Sequence, residues 1–142
     1  LEVLLPAVAA AKEEATARPA ARDAILLVDD EEIVRGIGRR MLERLGHRVL
    51  EATSGREALS VFDRRGDEIR GVLLDLSMPG LSGHQVLREL RTRRRGLPVL
   101  VMSGYDEEAV IRATGDQGPA AFLQKPFRLA ELADALDALL RD

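Results

Sequence analysis

Four short apolar runs, each closed by a side chain able to do chemistry, constrain this chain more than any other feature. The most telling reads Val72-Leu73-Leu74-Asp75-Leu76-Ser77-Met78-Pro79-Gly80. A run this short and apolar, stopped by Met-Pro-Gly, predicts a strand buried on both faces that ends at Asp75. Ile25-Leu26-Leu27-Val28 ends in Asp29-Asp30-Glu31, and Val99-Leu100-Val101-Met102 ends in Ser103-Gly104. Ala121-Phe122-Leu123-Gln124 ends in Lys125-Pro126-Phe127. In chain order the strand ends carry acid, acid, hydroxyl and amine. In open parallel α/β sheets, that C-terminal edge is where ligands bind.

Helical periodicity fills the gaps. Ile33, Ile37, Met41 and Leu45 recur every four residues, with Val34 and Leu42 beside them, and predict one apolar helix face stopped by Gly46. Arg48 to Ala52 is a short strand. Ser54-Gly55-Arg56-Glu57 fits a capping box and opens a second helix with Ala58, Leu59 and Phe62 inward. Ser82-Gly83-His84-Gln85 opens a third, with Val86, Leu87 and Leu90 inward. Asp106 or Glu107 opens a short fourth, which fails by Gly115-Asp116-Gln117-Gly118-Pro119. Leu129, Leu132, Ala133, Leu136, Leu139 and Leu140 mark the last. Strands and helices alternate strictly, five of each, which predicts a parallel sheet with helices on both faces.

Composition narrows the function classes. The 142 residues suffice for one domain with a real core. A formal net charge of −3 argues against a general nucleic-acid binder, and without Trp a base-stacking platform is not expected. There is no Cys, hence no disulfide and no thiolate metal site. No stretch has the length of a membrane span and no signal peptide is visible, so the expected compartment is the cytoplasm, without membrane contact. Residues 1–23, rich in Ala, Glu, Lys and Arg, read as an N-terminal extension or linker. Residues 24–142 read as the domain. A chain beginning at Leu1 rather than Met is expected to be a fragment or a processed product.

The strand ends share one chemistry. Asp29, Asp30 and Asp75 would crowd three carboxylates at one edge. Like charges that close cannot all stay ionised in a dry site, so a proton or a cation must compensate. All-oxygen donors without His or Cys nearby favour a hard cation, Mg²⁺ before Zn²⁺. Adding Ser103 and Lys125 gives a set suited to hold a phosphoryl group on an aspartate, with Gly104 leaving space for the donor. Taken singly, each of these residues is more often ordinary strand-end polarity, and Lys125-Pro126 alone would mean only a turn.

On Leu-Val-Asp29-Asp30-Glu31, Leu-Leu-Asp75-Leu-Ser-Met-Pro79-Gly80, Met-Ser103-Gly104 and Lys125-Pro126-Phe127, the chain from Ile25 onward resembles a receiver domain of two-component signalling. The resemblance implies a flavodoxin-like (βα)5 doubly wound parallel sheet of order 2-1-3-4-5, the order known for this class of fold. It implies that Asp75 is the phospho-acceptor. Asp29 and Asp30 would hold Mg²⁺ with Asp75 and the main-chain carbonyl of Ser77. Ser103, Gly104 and Lys125 would bind the phosphoryl group, Ser103 and Phe122 would act as the switch, and Pro126 would follow a cis bond. The donor would be a phosphohistidine on a histidine kinase core, in cis or in trans. The surface around the fourth helix, fifth strand and fifth helix would change. Any catalysis would be limited to self-phosphorylation and autodephosphorylation.

Two positions depart from the family pattern: Phe122 stands where Tyr is commoner, and Arg128 is a poor cap for the last helix. His47 and His84 read as solvated, and neither resembles a donor-histidine box. Leu1-Glu-Val-Leu-Leu-Pro6 resembles the closing strand of a histidine kinase ATP-binding domain, which implies the C-terminal receiver of a hybrid sensor histidine kinase. The alternative is a stand-alone single-domain response regulator. A further alternative is an aspartyl-nucleophile phosphatase, although such enzymes usually carry a second acid where Ser77 stands.

Overall fold

Strands Ala24–Val28 (β1), Arg48–Ala52 (β2), Ile69–Asp75 (β3), Val99–Ser103 (β4) and Ala120–Gln124 (β5) form one sheet in the order β2-β1-β3-β4-β5. Every pairing in it is parallel. The computed structural model describes residues 22–78, 83–104 and 120–140, and within these lie helices Glu32–Arg44 (α1), Gly55–Arg65 (α2), Gly83–Arg93 (α3) and Leu129–Leu140 (α4). The expected fourth helix from Asp106 or Glu107, the Ser82 cap and the Leu1–Pro6 segment lie outside the described residues.

The strand order places the helices. From β1 the chain steps to one side to reach β2, then returns past β1 to β3 and on to β4. Right-handed crossovers put α1 on one face and α2 and α3 on the other. The cores follow this division. Leu26, Val28, Val72, Leu74, Val99 and Val101 pack with Ala58 and Phe62 of α2 and Val86, Leu87 and Leu90 of α3. The alternate residues Ile25, Leu27, Leu73, Leu100 and Met102 pack with Leu42 of α1 and Leu132 and Leu136 of α4. A strand with both faces covered has no polar side, which is why these runs are continuously apolar. The reversal between β1 and β3 opens the crevice in which this topology binds ligands.

Three local expectations need correction. Ile33 and Ile37 do not face the sheet; they are 78% and 45% exposed. The buried line of α1 runs through Gly38 and Leu42 instead. A Cβ at Gly38 would stand 3.3 Å from Leu27 Cδ2, so the missing side chain lets α1 lie close on β1. Arg128 gives α4 no side-chain cap, as expected of it; the Glu131 carboxylate accepts from the Arg128 amide at 2.7 Å, which is the reciprocal half of a capping box. His47 is half-buried, and burial first, then Arg70, pulls its pKa below the usual histidine value. His84, second in α3, has its Nε2 buried without a hydrogen-bond partner, so neither histidine is simply solvated.

Other local signals act as expected. Gly46 sits at φ +92 and ends α1, with its own amide and that of His47 bonding back to the carbonyls of Glu43 and Leu42 at 3.0 Å each. The Ser54 hydroxyl accepts from the Glu57 amide at 3.1 Å and caps α2.

Candidate active site

The register brings the acids together. Val28 pairs with Leu74, so Asp29, just past β1, and Asp75, closing β3, leave adjacent central strands at the same level. Asp29 is fully buried and Asp75 is 2% exposed. Each turns one oxygen onto the amide two residues ahead. Asp29 Oδ1 accepts from Glu31 at 3.0 Å, and Asp75 Oδ1 accepts from Ser77 at 2.9 Å. Each turns the other oxygen towards Lys125, whose Nζ lies 3.3 Å from Asp29 Oδ2 and 3.1 Å from Asp75 Oδ2. The two carboxylates are thus oriented by short-range main-chain bonds and bridged by one ammonium.

Lys125 reaches this place from the far side of the sheet. It follows β5, and its amide bonds the Ser103 carbonyl at 2.8 Å, tying the ends of β4 and β5 together. The Lys125–Pro126 peptide is cis. Ser103 closes β4, fully buried, one residue past the Asp75–Met102 pairing. Gly104 is exposed, and the position a Cβ would take there has nothing within 4 Å. Phe122 pairs with Val101 in register and packs, partly buried, against the α2 and α3 side of the core. Ser77 is exposed beyond Asp75.

The acidic cluster meets the demands of a hard divalent cation. Carboxylate oxygens of Asp29, Asp30 and Asp75 lie within 4.8 Å of one another, and Asp30 is the exposed member. Three carboxylates offset by one ammonium leave two negative charges, which a divalent ion would balance. Burial raises the Asp29 pKa above its ordinary value; Asp75 adds to this, while the Glu31 amide and Lys125 oppose it. Burial pulls the Lys125 pKa down, but Asp75 and Asp29 together outweigh it and the net shift is upward. The ammonium therefore stays charged. An all-oxygen donor set of this charge suits Mg²⁺.

One residue of this surround carried no flag in the sequence. Arg35, in the second turn of α1, donates from Nη1 to the Asp29 carbonyl at 3.0 Å and from Nε to Glu51 Oε1 of β2 at 2.9 Å. The available signal was its spacing, one helical turn past Glu31, facing back to the strand end.

Comparison with known proteins agrees with this fold. A family model for the response regulator receiver domain matches residues 25–137, and the chain belongs to that family. It is 40% identical over 116 residues to the sensor kinase CckA of Brucella abortus, covering 82% of this chain and 12% of that protein. It is 42% identical over 117 residues to the response regulator MprA of Mycolicibacterium vanbaalenii, covering 82% of this chain and 50% of that one. The chain thus spans half or less of these curated relatives. Among solved structures, a receiver domain protein from Clostridium thermocellum superposes with a TM-score of 0.77 at 29% identity, covering 82% of this chain and 93% of that one. The chemotaxis protein CheY4 of Vibrio cholerae shares the fold, with a TM-score of 0.77 at 24% identity over 84% of this chain and 99% of that one. Among the described residues no helix is long and apolar enough to cross a membrane.

Proposed function

We propose that this receiver domain takes a phosphoryl group onto Asp75 from a phosphohistidine of a histidine kinase. The observation that carries this reading is the Lys125 ammonium held between Asp29 and Asp75 at the switch point of the sheet. A carboxylate oxygen of Asp75 attacks phosphorus as the phosphorus–nitrogen bond breaks, and the electron pair of that bond returns to the imidazole nitrogen. Asp29, Asp30, Asp75 and the Ser77 carbonyl are the groups that would hold Mg²⁺, which supplies charge neutralisation at the phosphoryl oxygens when bound. Lys125 adds a second cation, Ser103 a hydroxyl, and Gly104 open space for the donor. Ser103 and Phe122 then carry the change towards the surface formed by β5 and α4. Phosphohistidine is made from ATP, so the reaction belongs in the cytoplasm.

The test is intact-mass spectrometry after incubation with acetyl phosphate and Mg²⁺. One added phosphoryl group is expected on the native chain and none on Asp75→Asn. Equal phosphorylation of that variant would overturn the assignment.

For the parent protein, we propose a hybrid sensor histidine kinase, in which residues 1–23 link the kinase core to the receiver. Similarity to sensor kinase CckA and the Leu1–Pro6 segment support this. Similarity to MprA favours a free-standing response regulator. Reading the gene upstream of Leu1 separates them: an ATP-binding domain and a donor-histidine helix belong to the hybrid, and a nearby start codon excludes it.

A further inference from the structure

The acidic pair at the end of β1 is held from behind by contacts that its carboxylates do not make. The Asp29 amide bonds the carbonyl of Ala52, the last residue of β2, at 3.2 Å. The Asp29 carbonyl accepts from Arg35 Nη1 at 3.0 Å, and the same guanidinium places Nε on Glu51 of β2 at 2.9 Å. Glu51 is steadied in turn, with its second oxygen 3.6 Å from Arg39 Nη1, one turn further along α1. The Arg35 side chain is only 14% exposed. Both main-chain polar groups of Asp29 are therefore anchored, directly or through Arg35, to the neighbouring strand.

This anchoring bears on Asp30. The Asp29 carbonyl and the Asp30 amide share one rigid plane, so fixing the carbonyl oxygen fixes where the Asp30 amide and Cα lie and leaves only the Asp30 φ and side-chain torsions to aim its carboxylate. Among the described residues nothing else holds Asp30: its side chain is exposed and takes no hydrogen bond from them. Yet its carboxylate falls into the cluster with Asp29 and Asp75. We propose that Arg35 is a positioning residue for that cluster: by pinning the Asp29 carbonyl against Glu51 it sets the Asp29–Asp30 peptide and presents Asp30 to the cation. The proposal rests on the reading of Asp29, Asp30 and Asp75 as a Mg²⁺ site.

The sign of one measurement separates positioning from charge. If Arg35 acted only as a nearby cation, removing it would lessen repulsion and tighten Mg²⁺ binding. If it positions Asp30, removing it must weaken binding. A group orienting a metal ligand commonly governs affinity by roughly tenfold or more. Mg²⁺ titrations followed by the amide resonances of residues 29–31 should give an affinity about tenfold weaker for Arg35→Ala. Arg35→Lys should recover part of the loss, since an ammonium cannot serve both acceptors in the guanidinium's planar fork. Arg35→Met, which keeps the stem and removes both the donors and the charge, should weaken binding by a similar factor and serves if Arg35→Ala does not fold. The initial rate of phosphorylation by acetyl phosphate should return to within about twofold of the native rate at saturating Mg²⁺. Unchanged or tighter binding in Arg35→Ala, or in Arg35→Met if that variant stands in for it, overturns the proposal. Asp30→Asn is the control. If it too leaves the affinity unchanged, the metal-site reading itself fails. If it weakens binding while Arg35→Ala does not, only the role of Arg35 fails.

Discussion

At Lys125, burial and charge pull in opposite directions. Its side chain is 22% exposed, and it faces two carboxylates that are almost wholly enclosed. Replacing it with Met would keep the stem and remove the charge, leaving Asp29 and Asp75 to repel each other in a site poor in water. Removing one partner of a buried pair is strongly destabilising; allowing for the partial exposure of Lys125, a loss of about 2 kcal/mol at pH 7 without metal is expected. The pH dependence has a definite sign. Asp29 has a folded pKa raised above 3.8, chiefly by burial, so the folded state holds this proton more tightly than the unfolded one. Stability from this group is greatest at acid pH and declines as pH rises through the raised value. Loss of Lys125 removes a lowering influence and enlarges the decline. Urea denaturation of native protein and Lys125→Met should therefore show a stability gap that widens from acid to neutral pH. Mg²⁺, binding the more negative variant site more strongly, should narrow it. A gap indifferent to pH would mean that Lys125 contributes packing rather than charge.

Among the elements, the junction of β3 and α3 controls the acceptor most directly. Gly83 opens α3 against the strand end, and a Cβ there would come within 2.6 Å of Leu76 Cα and 3.2 Å of the Asp75 carbonyl. The nearest obstacle is backbone, which cannot rotate away. Gly83→Ala should cost about 2 kcal/mol and slow phosphorylation of Asp75 by displacing the residue that follows it. Gly36 is the contrast: it lies in α1 with nothing within 4 Å of the Cβ position, so Gly36→Ala should stabilise by about 0.5–1 kcal/mol. Urea midpoints of both variants would check this, and a stable Gly83→Ala would refute the close-approach argument. These glycines also mark where the sequence stopped being legible. The strands could be read because continuous apolar runs leave few other readings; the predicted and observed spans differ by a residue or so at their ends, except that β3 begins at Ile69, ahead of the run that starts at Val72. The fold class followed from their alternation with helices. The orientation of α1 did not, because Ile33 and Ile37 satisfy the helical period as well as Val34 and Leu42 do. What decides between the two faces is Gly38, whose contribution is an absence of atoms that periodicity cannot register. Asp29, Asp75 and Lys125 were legible as strand ends, and their convergence follows from strand order. The Arg35 bridge was not, because it depends on the register between β1 and β2.

At the scale of the whole molecule, the site joins elements far apart in the chain. Lys125 reaches the ends of β1 and β3 through its side chain and β4 through its amide, so one residue links the acidic pair to the end of β5. A phosphoryl group on Asp75 would add roughly −1.5 to −2 charges and three acceptor oxygens at the point where the ammonium now divides itself between two carboxylates. The ammonium should shift towards it, and the Ser103 hydroxyl should turn with it. Phe122 lies three residues before Lys125 on β5 and beside Val101 on β4, so movement at either strand end changes its packing. On the other side of the sheet, Arg35 and Glu51 brace β1 against β2, which should make that edge resist. The response is therefore expected to be lopsided. Amide NMR shifts on adding Mg²⁺ and beryllofluoride, a phosphoryl mimic, should cluster around residues 103–127 and stay small in β2 and α2. Shifts confined to residues 29–31 and 75–80 would mean that charge at Asp75 is absorbed where it arrives, and that Lys125 and Phe122 do not carry it outward.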